Sequence, residues 1–302
     1  MFDSNPEEHY LKEGDPSKPT YYIIRRMDEK TELFDMYLMV MGHIYYALSN
    51  GWIPVVDMQY YPNPYLDPEK LGKENAWEYY FEQPFHIGLD RVYAGDNVVL
   101  SNGDCVKPYP DYSINLLQKK NDKLVEWRML IKLGLMNIKP ERIKEFSAVR
   151  EKFFLPDDII LGVLLRGDAS DKKVKGQPIP PPAGFAINTI SDKFEDWKCN
   201  KLLLATEDKS VVEMFKNSFG DKCVSLDQIY SLCYDTEEDS SEENKPSEDK
   251  DLYFLKGKKH LLQTIFLYKC NSFVSERCPD ATVTMLLVKK FEHVHFFNLG
   301  SY

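Results

Sequence analysis

Short, wholly apolar runs alternate along the chain with longer mixed stretches whose apolar residues recur at helical spacing. Tyr21-Tyr22-Ile23-Ile24 is the first such run and predicts a buried strand. Thr31 then precedes an apolar helix reaching about Ser49, with Asn50-Gly51 as its stop. Ile53-Pro54-Val55-Val56-Asp57 predicts the next strand. Strand, helix and strand joined by short connections form a βαβ unit and imply a parallel sheet. A proline- and tyrosine-rich stretch, Met58 to Pro68, must then run extended or turning. Asn75 to Phe81 reads as a short aromatic helix ended by Pro84, Asn97 to Leu100 as a strand, and Asp122 to Phe154 as helix broken near Pro140.

A second series opens after Leu155-Pro156-Asp157-Asp158 with Ile159 to Leu165, an apolar run expected of a strand buried on both faces. Helix is predicted near Ala186–Trp197, strand over Lys201–Ala205, helix over Lys209–Ser218 and strand over Cys223–Leu226. Helix Lys258–Tyr268, strand Ser272–Ser275, helix Ala281–Lys290 and strand His293–Asn298 complete it. The expected organisation is a polar tail over 1–19, an α/β domain over 20–155 and a doubly wound α/β domain over 156–302. Between Asp235 and Asp251 the second series is interrupted by nine acids against two lysines, a charge of −7. That texture predicts a solvated, disordered insertion rather than a partner-binding tail.

Composition changes the picture mainly by exclusion. At 302 residues, 43% hydrophobic and 28% charged, the chain has apolar material for two cores. A net charge of −10 argues against nucleic acid as a partner. The six cysteines lack close pairing, and the polar start lacks an apolar targeting core, so reduced thiols in the cytoplasm are expected. The longest apolar run, Phe34 to Leu48, contains Asp35 and His43 and is too short for a membrane span, which leaves peripheral membrane association open. HExxH, P-loop, GxSxG and GxGxxG motifs do not occur, which removes the commoner peptidase, NTPase, hydrolase and dehydrogenase readings.

Candidate chemistry sits at the strand ends of the second half. Arg166-Gly167-Asp168-Ala169-Ser170 follows the first strand: Gly167 allows a sharp turn, and the planar fork of Arg166 suits a phosphate. Lys172, Lys173 and Lys175 would add positive potential, although spacing alone equally fits a solvated turn. Thr206-Glu207-Asp208 follows the second strand and suits either a helix cap or a nucleoside. Arg277 precedes a helix whose start suits an anion, while Asp280 equally suits a plain N-cap. In the first half, His43 reads as a core histidine, and Asp57, Asn75, Trp77 and Glu78 have no surface assigned to them.

Three segments of the first half, Gly51 to Asp57, Asn63-Pro64-Tyr65 and Asn75-Ala76-Trp77-Glu78-Tyr79-Tyr80-Phe81-Glu82-Gln83-Pro84, resemble bacterial polysaccharide-cluster proteins related to the α-1,6-fucosyltransferases. Gly162 to Gly167, Leu204 to Asp208 and Phe297 to Gly300 follow in the same order. The resemblance implies a GT-B fold, two Rossmann-like domains facing across a cleft, with GDP-fucose held mainly by the second. It implies inverting transfer to a glycan acceptor in polysaccharide biosynthesis, without a divalent metal or other cofactor. Arg166 matches the donor-phosphate arginine, and Thr206, Glu207 and Asp208 match the nucleoside segment. Gly167 and Arg277 join them as donor-side candidates, and Asp168 is the candidate for positioning or deprotonating the acceptor hydroxyl.

Three loops depart from the family pattern. Met27-Asp28-Glu29-Lys30-Thr31 replaces a glycine-rich loop, Arg166-Gly167-Asp168-Ala169 replaces Arg-Gly-Thr-Asp, and Arg277-Cys278-Pro279-Asp280 replaces a small polar segment. A catalytically inactive relative, binding a glycan or nucleotide or acting as a scaffold, is therefore the second reading.

Overall fold

The computed structural model describes residues 9–25, 30–101, 106–113, 117, 122–166, 176–234 and 252–302. The acidic stretch 235–251 lies outside them. The chain divides into two compact units, and neither is contiguous in sequence. One comprises Met1–Asp111, Asp122–Arg142 and Lys250–His260, the other Tyr112–Asn121, Ile143–Asp249 and Leu261–Tyr302.

The first unit is built on a four-stranded sheet in the order β1-β4-β2-β3. Strands β2 (Thr20–Ile24), β3 (Ile53–Val56) and β4 (Asn97–Leu100) run parallel, with Tyr21 opposite Ile53 and Tyr21 opposite Val98. Strand β1 (His9–Lys12), in the segment expected to be a polar tail, adds antiparallel to β4. Period-two alternation sends the residues of β2 to opposite faces. Tyr22 stacks against Trp52 and meets Tyr46 and His43, while Tyr21 and Ile23 pack with Val55, Val92 and Val98.

Helix α1 (Leu33–Ser49) packs on the Tyr22 face and buries thirteen of its seventeen residues. Such a helix is apolar almost all round because covering segments close its outer side. Gly42 marks one of them: a Cβ there would stand 2.6 Å from the Cβ of Tyr109 and 2.9 Å from the Val106 carbonyl. Helix α2 (Leu89–Tyr93) lies against the Tyr21 face, and α3 (Asp122–Lys132) belongs to the same unit, as do residues 250–260.

The second unit holds a five-stranded, wholly parallel sheet in the order β7-β6-β5-β8-β9. Its strands are β5 (Ile160–Leu164), β6 (Lys201–Ala205), β7 (Cys223–Ser225), β8 (Ser272–Ser275) and β9 (His293–Phe296). All five residues of β5 are buried, as a central strand covered on both faces requires. Leu161 and Val163 point to a core shared with Ile190 and Phe194 of α5 (Ala183–Asp196) and Phe215 of α6 (Lys209–Phe219). Gly162 points the other way, where a Cβ would stand 3.1 Å from Cys270 Sγ and 3.3 Å from Leu267. Helices α4 (Pro140–Arg150), α7 (Leu226–Tyr234), α8 (Leu252–Tyr268) and α9 (Pro279–Leu287) complete the chain.

Candidate functional site

Strand order locates the switch point of the second sheet. From β5 the chain steps to β6 and β7 on one side; later it places β8 and β9 on the other. Right-handed crossovers in opposite directions send the connections after β5 and β8 to opposite faces. The carboxyl ends of these two strands are the place where doubly wound sheets hold their ligands.

Two arginines flank that point. Leu164 pairs with Ser275, so the residues two beyond each partner, Arg166 and Arg277, come side by side. The Arg166 guanidinium donates through Nη2 to the Arg277 carbonyl at 3.2 Å. Arg277 in turn donates through Nη2 to the Gly300 carbonyl at 3.4 Å. Gly300 has a φ of 89°, a conformation open to glycine, and its segment bonds back to residues 176–179. The fork of Arg166 stays about half exposed, its side chain retaining 43% of its accessible area.

The group that sequence reasoning missed is Glu276. It is 1% exposed, directly follows β8, and accepts the Arg166 backbone N–H on Oε1 at 2.5 Å. Its Oε2 lies 3.7 Å from Arg166 Nε. Burial pushes its carboxyl above the usual carboxylate range, against the opposing pull of the Arg166 bonds and charge. Cys278 is also buried, its thiol held neutral by desolvation, and its Sγ accepts the Ala281 N–H as the cap of α9. Pro279 takes the first helical position, so Asp280 lies inside α9 rather than capping it and accepts from Gln263 Nε2 at 3.0 Å.

Thr206, Glu207 and Asp208 stand at the end of the neighbouring strand β6, where the Leu165 N–H reaches the Ala205 carbonyl at 3.0 Å. Asp208 is the N-cap of α6, its Oδ1 accepting from the Ser210 and Val211 backbone. Thr206 is buried and accepts the Asp208 N–H, while Glu207 is exposed. The structure thus brings Arg166 and Arg277 into contact and sets Thr206–Asp208 one strand away. Gly167, Asp168, Lys172, Lys173 and Lys175 lie outside the described residues.

In the first unit the candidates prove architectural. Asn75 spans the end of β3, its amide bonding the Val56 carbonyl at 2.8 Å and the Met58 N–H at 3.0 Å. Trp77 is fully buried against Tyr37 and Phe81, and Glu78 accepts from Gln83 Nε2 at 3.0 Å. His43 Nδ1 meets the Tyr22 hydroxyl at 2.9 Å inside the core. Asp57 is buried, accepts from the Gln59 and Tyr60 backbone and the Tyr93 hydroxyl, and lies 3.9 Å from Arg25. Among the described residues no three His, Cys, Asp or Glu side chains are grouped to hold a metal ion, and no helix is long and apolar enough to cross a membrane.

No family model and no curated protein matches the chain. Solved structures do. NodZ alpha-1,6-fucosyltransferase soaked with GDP-fucose superposes with a TM-score of 0.51 at 16% identity, over 90% of this chain and 93% of that one. Fucosyltransferase NodZ from Bradyrhizobium, in selenomethionine form, gives 0.52 at 16% identity over 94% and 96% of the two chains. The fold is that of the NodZ fucosyltransferases. The likeness runs through both units, since nine-tenths or more of each chain is covered. At this identity a shared fucosyltransferase fold says nothing residue by residue, and the site rests on the geometry above.

Proposed function

We propose that this chain is a glycosyltransferase that binds a guanosine diphosphate sugar, with fucose as the sugar, at the carboxyl edge of its second sheet. The observation that carries the reading is the pairing of Arg166 with Arg277 at the switch point between β5 and β8. Two guanidinium groups there supply the positive charge that a departing diphosphate needs as the glycosidic bond to phosphate breaks. The fold shared with an enzyme solved with GDP-fucose supports the choice of donor.

In this proposal the acceptor hydroxyl attacks the anomeric carbon from the face opposite the diphosphate, inverting the configuration. The bonding pair leaves with the diphosphate, and Asp168 takes the acceptor proton. Thr206 and the backbone beside it border the nucleoside. The acceptor is a cell-surface glycan, and arginine takes the place of a divalent metal.

Calorimetric titration with GDP, in EDTA and in Mg²⁺, tests the reading together with release of fucose from GDP-fucose. Equal affinity in both conditions and measurable release are expected. Binding that requires the metal would overturn the arginine mechanism. Binding without release or transfer would leave a nucleotide-binding module in place of an enzyme.

A further inference from the structure

Among the described residues, two buried polar atoms at this edge have no hydrogen-bond partner, and they belong to consecutive residues: Glu276 Oε2 and Arg277 Nε. Unmade bonds in a protein interior are costly, so an acceptor and a cationic donor left incomplete together mark a place that something else completes. Glu276 already performs one task. Through Oε1 it fixes the backbone of Arg166 where the chain leaves β5, and its Oε2 stands on the Nε side of the guanidinium. Nη2 of the same guanidinium donates to the Arg277 carbonyl, and the side chain remains partly exposed.

We propose that Glu276 is the positioning residue for Arg166 and that it takes up a proton when a nucleoside diphosphate binds the two arginines. This rests on the donor reading above. A diphosphate bound by Arg166 adds negative charge near a carboxylate that faces the same guanidinium and has almost no solvent. Like charges in such a site disfavour the ionised acid, so a solvent proton adds to Oε2 while Oε1 continues to accept the Arg166 N–H. Burial already disfavours the ionised form of Glu276, in the same direction as that change.

Among the described residues, Arg166 is the charge that bears on Glu276 from β5. Arg277, Cys278 and Asp280 stand on its own turn and on α9, with α8 contributing the neutral Gln263 to Asp280. Glu207 and Asp208 stand at the end of β6.

The test is calorimetry with GDP and GDP-fucose from about pH 5 to about pH 8, in buffers of different ionisation enthalpy. Wild type is compared with Glu276→Gln, which keeps an acceptor for the Arg166 N–H, and with Glu276→Ala, which does not. Wild type should take up about half a proton or more beyond the Gln variant. Its affinity should weaken more steeply with rising pH, by up to about tenfold per unit. The Ala variant should bind weakly at every pH. Equal proton counts and slopes in wild type and Glu276→Gln would overturn the proposal while leaving the donor reading intact. If the Gln variant does not fold, the wild-type count with GDP-fucose decides, because its diphosphate carries no titrating proton in this range. Zero uptake there overturns the proposal. Failure of wild type to bind either nucleotide at any pH overturns the donor reading itself.

Discussion

Replacing Arg166 with alanine removes a charge-assisted contact to the proposed diphosphate, worth about 1.5–3 kcal/mol. Affinity for GDP should fall about tenfold to a hundredfold by titration, with little change in thermal stability, because the side chain is half exposed. Arg166→Lys should recover part of the loss, since an ammonium offers a point charge and no fork. Asp208 makes the contrasting case. Its Oδ1 is committed to the start of α6, so Asp208→Ala should cost about 1 kcal/mol of stability in a denaturant titration. Asp208→Asn should restore most of it by keeping the cap. If GDP affinity drops in the Asn variant as well, Asp208 carries the nucleoside role that the sequence resemblance implies.

Among the elements, β5 comes close at Gly162 to the end of α8 and the residues just after it. A methyl at Gly162 would press on Cys270 and Leu267 from 3.1 to 3.3 Å, with a packed core behind them. Crowding of this kind costs about 1–3 kcal/mol, more than the roughly 0.4–1 kcal/mol that a less flexible unfolded chain returns. Gly162→Ala should therefore lower the midpoint of thermal unfolding. The central strand of the second unit was legible in the sequence because a strand buried on both faces reads as an apolar run, and Ile160 to Leu164 is one, whereas α7 (Leu226–Tyr234) was not foreseen. Strand β1 was not, because its place at the edge against β4 comes from pairing and its sequence is polar. The aromatic segment 75–81 was recognisable as a structured piece, yet no periodicity tells that Trp77 faces inward. Of the site, Arg166 and Arg277 were visible as cations at strand ends. Glu276 was hidden, since an acid beside an arginine in sequence reads as solvated until the fold buries it.

For the molecule as a whole, the contribution of 235–251 follows from its composition. With almost no apolar residue it can bury little surface, and changing loop length alone has a small entropic effect. Replacing it with a short Gly/Ser linker should leave the unfolding temperature nearly unchanged and the transition cooperative. Loss of cooperativity in calorimetry would mean that these residues belong to the folded core. The division of the chain carries a further consequence. Within the first unit, the Tyr80 hydroxyl donates to the Phe254 carbonyl across 174 residues, Gly257 sits against the Tyr80 ring, and Phe254 stacks on it. On a ribosome adding about 5–20 residues per second, Tyr80 emerges roughly ten to thirty seconds before its partner exists. Through that interval the nascent first unit presents an uncovered aromatic face, so its maturation follows the completion of the second unit's first three strands, and ribosome-held chains ending before Leu252 should remain open to protease around Tyr79 and Tyr80.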